Sequence, residues 1–477
     1  MNINASAVYF LCRCKNPDAC PGGGSGVCAD RYKSILCGSC SPGWGKSRSF
    51  HCRKCGSTAA VIILYILAGL ATLVFAKILC YFTLKTAAAR SASAANMLPS
   101  AGGSTGQSGK QAAVSEVLKP FLLYLQCLWV VATLHGVEWP ATLSGPLQAL
   151  TWFFSASTPQ TLGIECVMNT TSKVPIPVQV FLISMFMPVA IMVVLVATEA
   201  LRAVFRSRRR GAVGGWSAQL AADQHVLIAH SIIVVCIFLP QLMRAAFSIF
   251  ACVVVDSPVN PPYQVNAVGT FWASDMSQHC WQGYHSVLAF GAGLPMVVLL
   301  CAVLPCCMVM FLARNRNVLH TAALRPYAFM YEMYKPSVFY WEAVIVVQLA
   351  VVVAIAVFSH SLGTYYGCLL LTAALALNAV LTAWVRPHAS TVARHNAVRG
   401  SACVFFTSFS ALSFLPSGIV SAQIGAGYAV AVGAVIACIN LGYVASVMWH
   451  ILHALDWQWV QRMATSVATK LRAVFKK

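Results

Sequence analysis

Apolar residues fall along the chain in long runs separated by short polar or basic connections. A helix crosses a hydrocarbon core of about 30 Å in roughly 20 residues. Nine runs reach that length, at about 58–84, 113–136, 176–200, 226–254, 285–312, 338–359, 362–384, 400–418 and 424–454. They predict an all-α polytopic membrane protein of about nine transmembrane helices. The run at 400–418 is the weakest, because its "FFTSFSALSFLPSG" is rich in hydroxyls and a re-entrant loop is the alternative.

Composition supports a membrane class: of 477 residues, 59% are hydrophobic and 9% charged, and the mean hydropathy is +0.73. Such values lie outside the range of soluble globular chains. A net charge of +20 could suggest nucleic acid, yet no basic motif is interleaved with base-stacking aromatics, so no nucleic acid partner is expected. The charge sorts by connection instead. With the N-terminus outside, the inner segments hold 21 Lys and Arg, among them Lys119, Arg208, Arg314, Lys335 and Arg386, and the outer loops after the first span hold only Lys173. Basic residues are retained on the cytoplasmic side. The expected arrangement is therefore an extracytoplasmic N-terminus and a cytosolic C-terminus, in the plasma membrane or an endomembrane. Dropping the 400–418 span would put the basic tail outside, so it is kept.

The soluble parts divide as a Cys-rich exterior module at 1–57, a first span at 58–84, a flexible linker at 85–112, an eight-helix membrane domain at 113–454 and a basic amphipathic tail at 455–477. Eight cysteines crowd the head: Cys12, Cys14, Cys20, Cys28, Cys37, Cys40, Cys52 and Cys55. A segment this small holds no core unaided, and an even count outside the membrane reads as up to four disulfides, whose connectivity spacing does not determine. The rival is a zinc ribbon, since Cys37-x2-Cys40 and Cys52-x2-Cys55 have ligand-like spacing; the oxidising side of the membrane favours disulfides, and no metal or other cofactor is expected. Cys166 and Cys280 fall in exterior loops and are expected to pair with each other. Asn169-Thr170-Thr171 is a glycosylation sequon in the first of those loops. The opening "MNINASAVYFL" has no basic n-region or proper apolar h-region. The first span is thus expected to insert N-terminus out, or else to follow a longer ectodomain.

The linker has the Ala, Ser and Gly bias of an unfolded spacer. In the tail, Val460, Met463, Val467, Leu471 and Val474 recur at helical intervals. With Trp457 and Trp459 they predict a helix lying on the inner leaflet, with a calmodulin-type target as the alternative. The tail and "RSRRR" at 206–210 are the candidates for anionic lipid at the cytosolic face.

Ionisable groups within spans are costly and so are functional candidates. Lys77 lies close enough to the inner end of its span to snorkel. Arg244 follows Pro240-Gln241, where the proline should bend the helix and free a carbonyl; Glu138 and Asp275 are its candidate partners. Gln348, Asn378 and Asn440 are expected to be interhelical hydrogen-bond partners. No span carries arginines at every third position, which excludes a voltage sensor, and Glu138, Glu165 and Asp275 are too scattered to form a selectivity ring. His450 and His453 share a helical face but lack the partners a metal site needs. With 12 acids over nine spans and no nucleophile elbow, phosphate loop or HExxH, no enzyme is expected.

The stretch "YEMYKPSVFYWE" at 331–342 leads into the sixth span. Pro336 can start a helix without losing a bond, Tyr340 and Trp341 suit the headgroup level, and Glu342 falls in the first helical turn, where the helix dipole favours a carboxylate. Glu342 either caps and anchors the span or pairs with a cytosolic base such as Arg325 or Arg386, coupling two helices.

The order of these pieces resembles a known group. "CGSCSPGW", one span, a linker, "LKPFLLYLQCLWVVATLHGVEWP", an exterior "IEC", "YKPSVFYWE" before a span and "WVRPH" after the next are similar to algal and protist membrane proteins. These join an EGF-like or similarly Cys-rich ectodomain to a region similar to the fungal TRP-like (transient receptor potential-like) proteins. The most specific pieces are Tyr124-Leu125-Gln126 with Trp139-Pro140, and Tyr340-Trp341-Glu342. The resemblance implies a TRP-like ion channel with an exterior sensing module, assembled as a homo-oligomer. In that pattern a basic residue follows the Trp-Glu pair by about one turn. Here the run is Ala343-Val344-Ile345-Val346-Val347-Gln348, so a charge partner for Glu342 must come from elsewhere. The alternatives are a non-conducting adhesion or sensing receptor and a lipid or small-molecule transporter.

Overall fold

The computed structural model describes residues 19, 28–33, 37–46, 52–95, 105–134, 136–156, 166, 174–210, 223–255, 269–319, 321–415 and 426–454. Cys12, Cys14, Cys20, Asn169 and the 455–477 tail lie outside the described residues. Among the described residues nine helices are long and apolar enough to cross a membrane, and the protein is a helical integral membrane protein.

In chain order the helices are α1 (Thr58–Ala95), α2 (Thr105–Ala132), α3 (Ala141–Ala156), α4 (Ile176–Arg210), α5 (Gln224–Ser248), α6 (Gly283–Arg314), α7 (Trp341–Leu362), α8 (Thr364–Val385), α9 (Thr391–Ala411) and α10 (Ala426–Ala454). All but α3 are membrane-length. Helices α1 and α2 reach into the 85–112 stretch, so part of that expected linker is helical. Helix α6 contains two π-helical segments, Ala289–Gly293 and Leu299–Val303, each followed within two residues by a proline. The weakest expected span exists, shifted toward the N-terminus as α9. Its hydroxyls find partners: Thr407 donates to the Cys403 carbonyl at 2.7 Å and Ser410 to that of Thr407 at 2.8 Å, and Ser408 pairs with the Thr372 hydroxyl of α8 at 2.9 Å.

Helices α2 and α5 are the most enclosed, and α1, α4 and α6 the least. On α1 the small residues Ala68, Thr72 and Ala76 face inward, while Ile63, Leu67, Leu70 and Val74 are exposed. Small inward residues let helix backbones approach where lipid supplies no hydrophobic drive. The α7–α8 hairpin shows the same economy. Gly363 turns at φ +86°, and a Cβ on Gly367 would lie 2.4 Å from the Ser359 Cβ.

Short strands pair in the head, β1 (Tyr32–Lys33) with β2 (Ser39–Cys40) and β3 (Trp44–Lys46) with β4 (Cys52–Lys54). Among the described residues its disulfides are Cys28–Cys37, Cys40–Cys52 and Cys55–Cys166. The two Cys-x2-Cys pairs are therefore spent in covalent bonds, which overturns the zinc-ribbon alternative. The expected Cys166–Cys280 bond is also corrected: Cys166 joins the head, and Cys280 bonds Cys252. Sequence placed Cys252 in the fourth span, but α5 ends at Ser248 and the chain turns into a three-stranded antiparallel sheet, β5 (Cys252–Val255), β6 (Gly269–Trp272) and β7 (Asp275–His279). The β-branched run at 253–255 suits a strand as well as a helix. This sheet lies against the α7–α8 turn, where the Ser361 hydroxyl donates to the Cys252 carbonyl at 2.9 Å.

Candidate coupling site

The charge partner of Glu342 is Lys119. The carboxylate sits in the first turn of α7, and its Oε2 accepts from the Lys119 Nζ at 2.6 Å and from the Tyr334 hydroxyl at 2.6 Å. Lys119 comes from α2, where sequence had counted it only among topology charges. Its ammonium also donates to the Phe329 carbonyl and lies 4.4 Å from the Phe329 ring centroid and 4.7 Å from that of Tyr334. The side chains of Lys119 and Glu342 are 10% and 6% exposed, so this is a buried pair. The expected partners Arg325 and Arg386 are replaced because Lys119 approaches from across the bundle. Trp341 is a second correction. Only 5% exposed, it packs with Met333, Tyr334 and Ala393 and is no headgroup anchor, whereas Tyr340 is exposed. The α7 helix starts after Tyr340, and its first turn carries Trp341 inward.

Two connections close over this pair. Tyr334 and His388 form an isolated antiparallel bridge, Lys335 N–H donates to the Pro387 carbonyl at 2.9 Å, and Ala389 N–H donates to the Met333 carbonyl at 2.9 Å. Arg386 turns the chain into this bridge with φ +49°, a left-handed conformation uncommon outside glycine. Burial, with the Glu342 charge second, raises the Tyr334 hydroxyl well above the ordinary phenol range and keeps it a donor. Burial, aided by the nearby positive charges of Lys119 and Lys335, lowers His388 to about 4, which makes it neutral near pH 7. Its Nδ1 has no hydrogen-bond partner.

Beside the pair lies a cavity of about 60 Å³ between α2, α5, α7, α8 and α9. Its polar lining comes from Lys119, Gln126, Glu342, Gln348, Asn378 and His388, and its apolar lining includes Leu239, Phe329 and Ile345. The Gln348 Nε2 is buried without a partner.

Pro240 lies inside α5, and the carbonyl it leaves free is taken up by a side chain. Proline has no N–H to give the carbonyl four residues earlier, and that carbonyl, of Cys236, accepts instead from Gln126 Nε2 at 2.7 Å. The Gln241 amide lies 3.0 and 3.2 Å from the Phe238 and Ile237 carbonyls, a placement that assigns its nitrogen to that side. Arg244 lies further along α5, donating to the Thr133 hydroxyl at 2.5 Å with its guanidinium 5.2 Å from the Trp129 ring. Asp275, one expected partner, accepts from Tyr284 at 2.6 Å and from Ser277 at 2.5 Å. Asn440 is the interhelical link expected of it, accepting from Tyr124 at 2.7 Å and donating to Thr407 at 2.9 Å.

Sequence reasoning missed a second charge cluster, in which Glu199 of α4 takes Lys77 of α1 at 2.7 Å and Arg202 at 2.8 Å. A single acid inside an apolar run was its signal. Ligand atoms of Cys252, Cys280 and His285 gather within 4.8 Å, but the two sulfurs are disulfide-bonded and His285 is engaged by Trp281 N–H at 2.9 Å and the Ile249 carbonyl at 2.9 Å.

Fold and site together define a polytopic helical membrane protein with a disulfide-rich N-terminal region, whose central helix is tied to α7 by a buried ion pair. No family model, curated protein or solved structure matches the chain.

Proposed function

We propose that the chain is a TRP-like, channel-type membrane protein with its disulfide-bonded head outside, its C-terminus in the cytosol, and the Lys119–Glu342 pair as the contact that couples α2 to α7 during gating. The observation that carries this reading is the pair itself, two opposite charges buried at 2.6 Å beside a mostly apolar cavity between five helices. A buried pair is weak evidence for stability, because desolvation offsets its attraction. A register or switch role accounts for such a pair better. The two connections clasped by the Tyr334–His388 bridge would move with it.

The Cys55–Cys166 bond supports a sensing head. It fastens the head to the connection before α4, so a displacement outside is passed covalently to a membrane helix. That same bond equally serves a receptor that does not conduct.

Whole-cell current recording tests the proposal. Cells expressing the protein should carry a current under voltage, stretch or osmotic stimulus, altered in Glu342→Gln and in Lys119→Gln. Surface-expressed protein with no current above background under any of these stimuli refutes the channel and leaves the receptor.

A further inference from the structure

At the end of the bundle that carries the Tyr334–His388 bridge, the α8–α9 turn opens into a cleft of about 460 Å³ lined by Ala383, Arg386, Arg394, His395, Val398 and Arg399. No acid lines it, and none of its three arginines makes an ion pair among the described residues. Three guanidiniums facing one concavity repel one another, so the cleft is complementary to an anion. Arginine's planar fork suits phosphate in particular.

The surface around the cleft identifies which phosphate. On α8, Leu377, Val380 and Trp384 are exposed at i, i+3 and i+7, and this stripe ends beside Arg386. On α9, exposed Phe409 and Phe406 continue at helical spacing into Arg399 and His395. Two apolar stripes thus run from the hydrocarbon region into one basic cleft, and Trp384, 79% exposed, stands where an interfacial aromatic belongs. A soluble phosphate needs only the cleft, whereas a phospholipid uses the cleft and both stripes.

We infer that the α8–α9 cleft seats the headgroup of an anionic glycerophospholipid from the adjacent leaflet, with its phosphate among Arg386, Arg394 and Arg399 and its acyl chains along α8 and α9. This site is separate from the "RSRRR" and tail charges and does not depend on conduction.

The test is native mass spectrometry of the full chain in neutral detergent, titrated with phosphatidylserine or phosphatidylcholine, with inositol hexakisphosphate as a soluble competitor. Phosphatidylserine should be retained in preference, and R386Q/R394Q/R399Q should weaken it roughly a hundredfold, about fivefold for each charge removed. The triple Arg→Lys variant, which keeps the charge but loses the planar fork, should bind more weakly than the unaltered protein and more tightly than the triple Gln variant. On the unaltered protein, a photoactivatable phosphatidylserine should label residues within 377–409; this arm stands even if the triple Gln variant does not fold. Equal retention of phosphatidylcholine, unchanged binding in a folded triple Gln variant, or labelling confined elsewhere overturns the site. Displacement of the lipid by the soluble polyphosphate overturns the lipid as its occupant.

Discussion

Lys119→Met removes one charge of the buried pair while leaving a side chain of similar reach against Phe329 and Tyr334. The Glu342 carboxylate, 6% exposed, would then keep the Tyr334 hydroxyl at 2.6 Å as its remaining donor of the two. At an effective permittivity of about 20, opposite charges 2.6 Å apart attract by about 6 kcal/mol. Taking each ion out of water costs several kcal/mol, so the intact pair nets little. Losing one member removes the attraction and leaves the desolvation, a destabilisation of about 3–5 kcal/mol. Glu342→Gln should cost less, about 2–3 kcal/mol, because the Phe329 carbonyl and two ring faces still hold the ammonium. Replacing both, as K119M/E342L, should return stability to within about 1 kcal/mol of the parent. Thermal unfolding in detergent, followed by size-exclusion chromatography, reads this as a Tm loss of roughly 3–10 °C for Lys119→Met that the second substitution largely reverses. Losses that simply add in the double variant would refute the pair as a coupled unit, and an unchanged Tm in both singles would show that the charges are solvated.

Gln126→Leu should cost about 1–3 kcal/mol by orphaning the Cys236 carbonyl; Pro240→Ala, which restores an N–H to that carbonyl, should recover most of the loss in the same unfolding assay. Because His388 is lowered to about 4 from an ordinary value near 6.5, the unfolded chain binds its proton first as pH falls. Stability present above about pH 6.5 is therefore lost by about 3 kcal/mol down to pH 4. Denaturation across that range should show a shallower acid slope in His388→Gln, and an identical slope would refute the assignment. Cys55→Ser should free Cys166 for alkylation and Cys252→Ser should free Cys280; release of Cys280 by Cys166→Ser, seen by mass spectrometry of labelled peptides, would reverse the connectivity.

The spans were legible because length and hydropathy are properties of contiguous segments. Even the hydroxyl-rich α9 was found, though displaced, since Thr407 and Ser410 donate within their own helix. Pro240 was legible for a related reason: a missing N–H and its orphaned carbonyl are both local facts. What captured that carbonyl was not legible. Gln126 lies 110 residues earlier, and Lys119 precedes Glu342 by more than 200. No periodicity spans such a gap, and Lys119 looked like one of many charges obeying the positive-inside bias. The head disulfides follow the same rule. Cys28–Cys37 and Cys40–Cys52 close short loops, whereas Cys55–Cys166 depends on where α3 and α4 place the distant cysteine.

On α2 those distant partners have a common origin. Lys119, Gln126 and Thr133 recur every seven residues with Glu116 one turn before, a polar stripe of period close to 3.5 along the most enclosed helix. The members are met by three neighbours: Glu116 by the Ser390 hydroxyl at the start of α9 at 2.7 Å, Lys119 by Glu342 of α7, and both Gln126 and Thr133, the latter just past the end of α2, by α5 through the Cys236 carbonyl and Arg244. A rotation of α2 about its axis would strain all four contacts together, whereas movement of one neighbour would break only its own. The polar contacts therefore favour α2 as the fixed axle and α5, α7 and α9 as the parts able to shift against it. Since burying an unmet polar group costs about 1–3 kcal/mol, α7 and α9 are each held to the stripe by a contact strong enough to define register and weak enough to be released, whereas α5 is held by two. In the proposed channel the switch would then lie on α7, where Glu342 released from Lys119 keeps the Tyr334 hydroxyl as a donor at 2.6 Å.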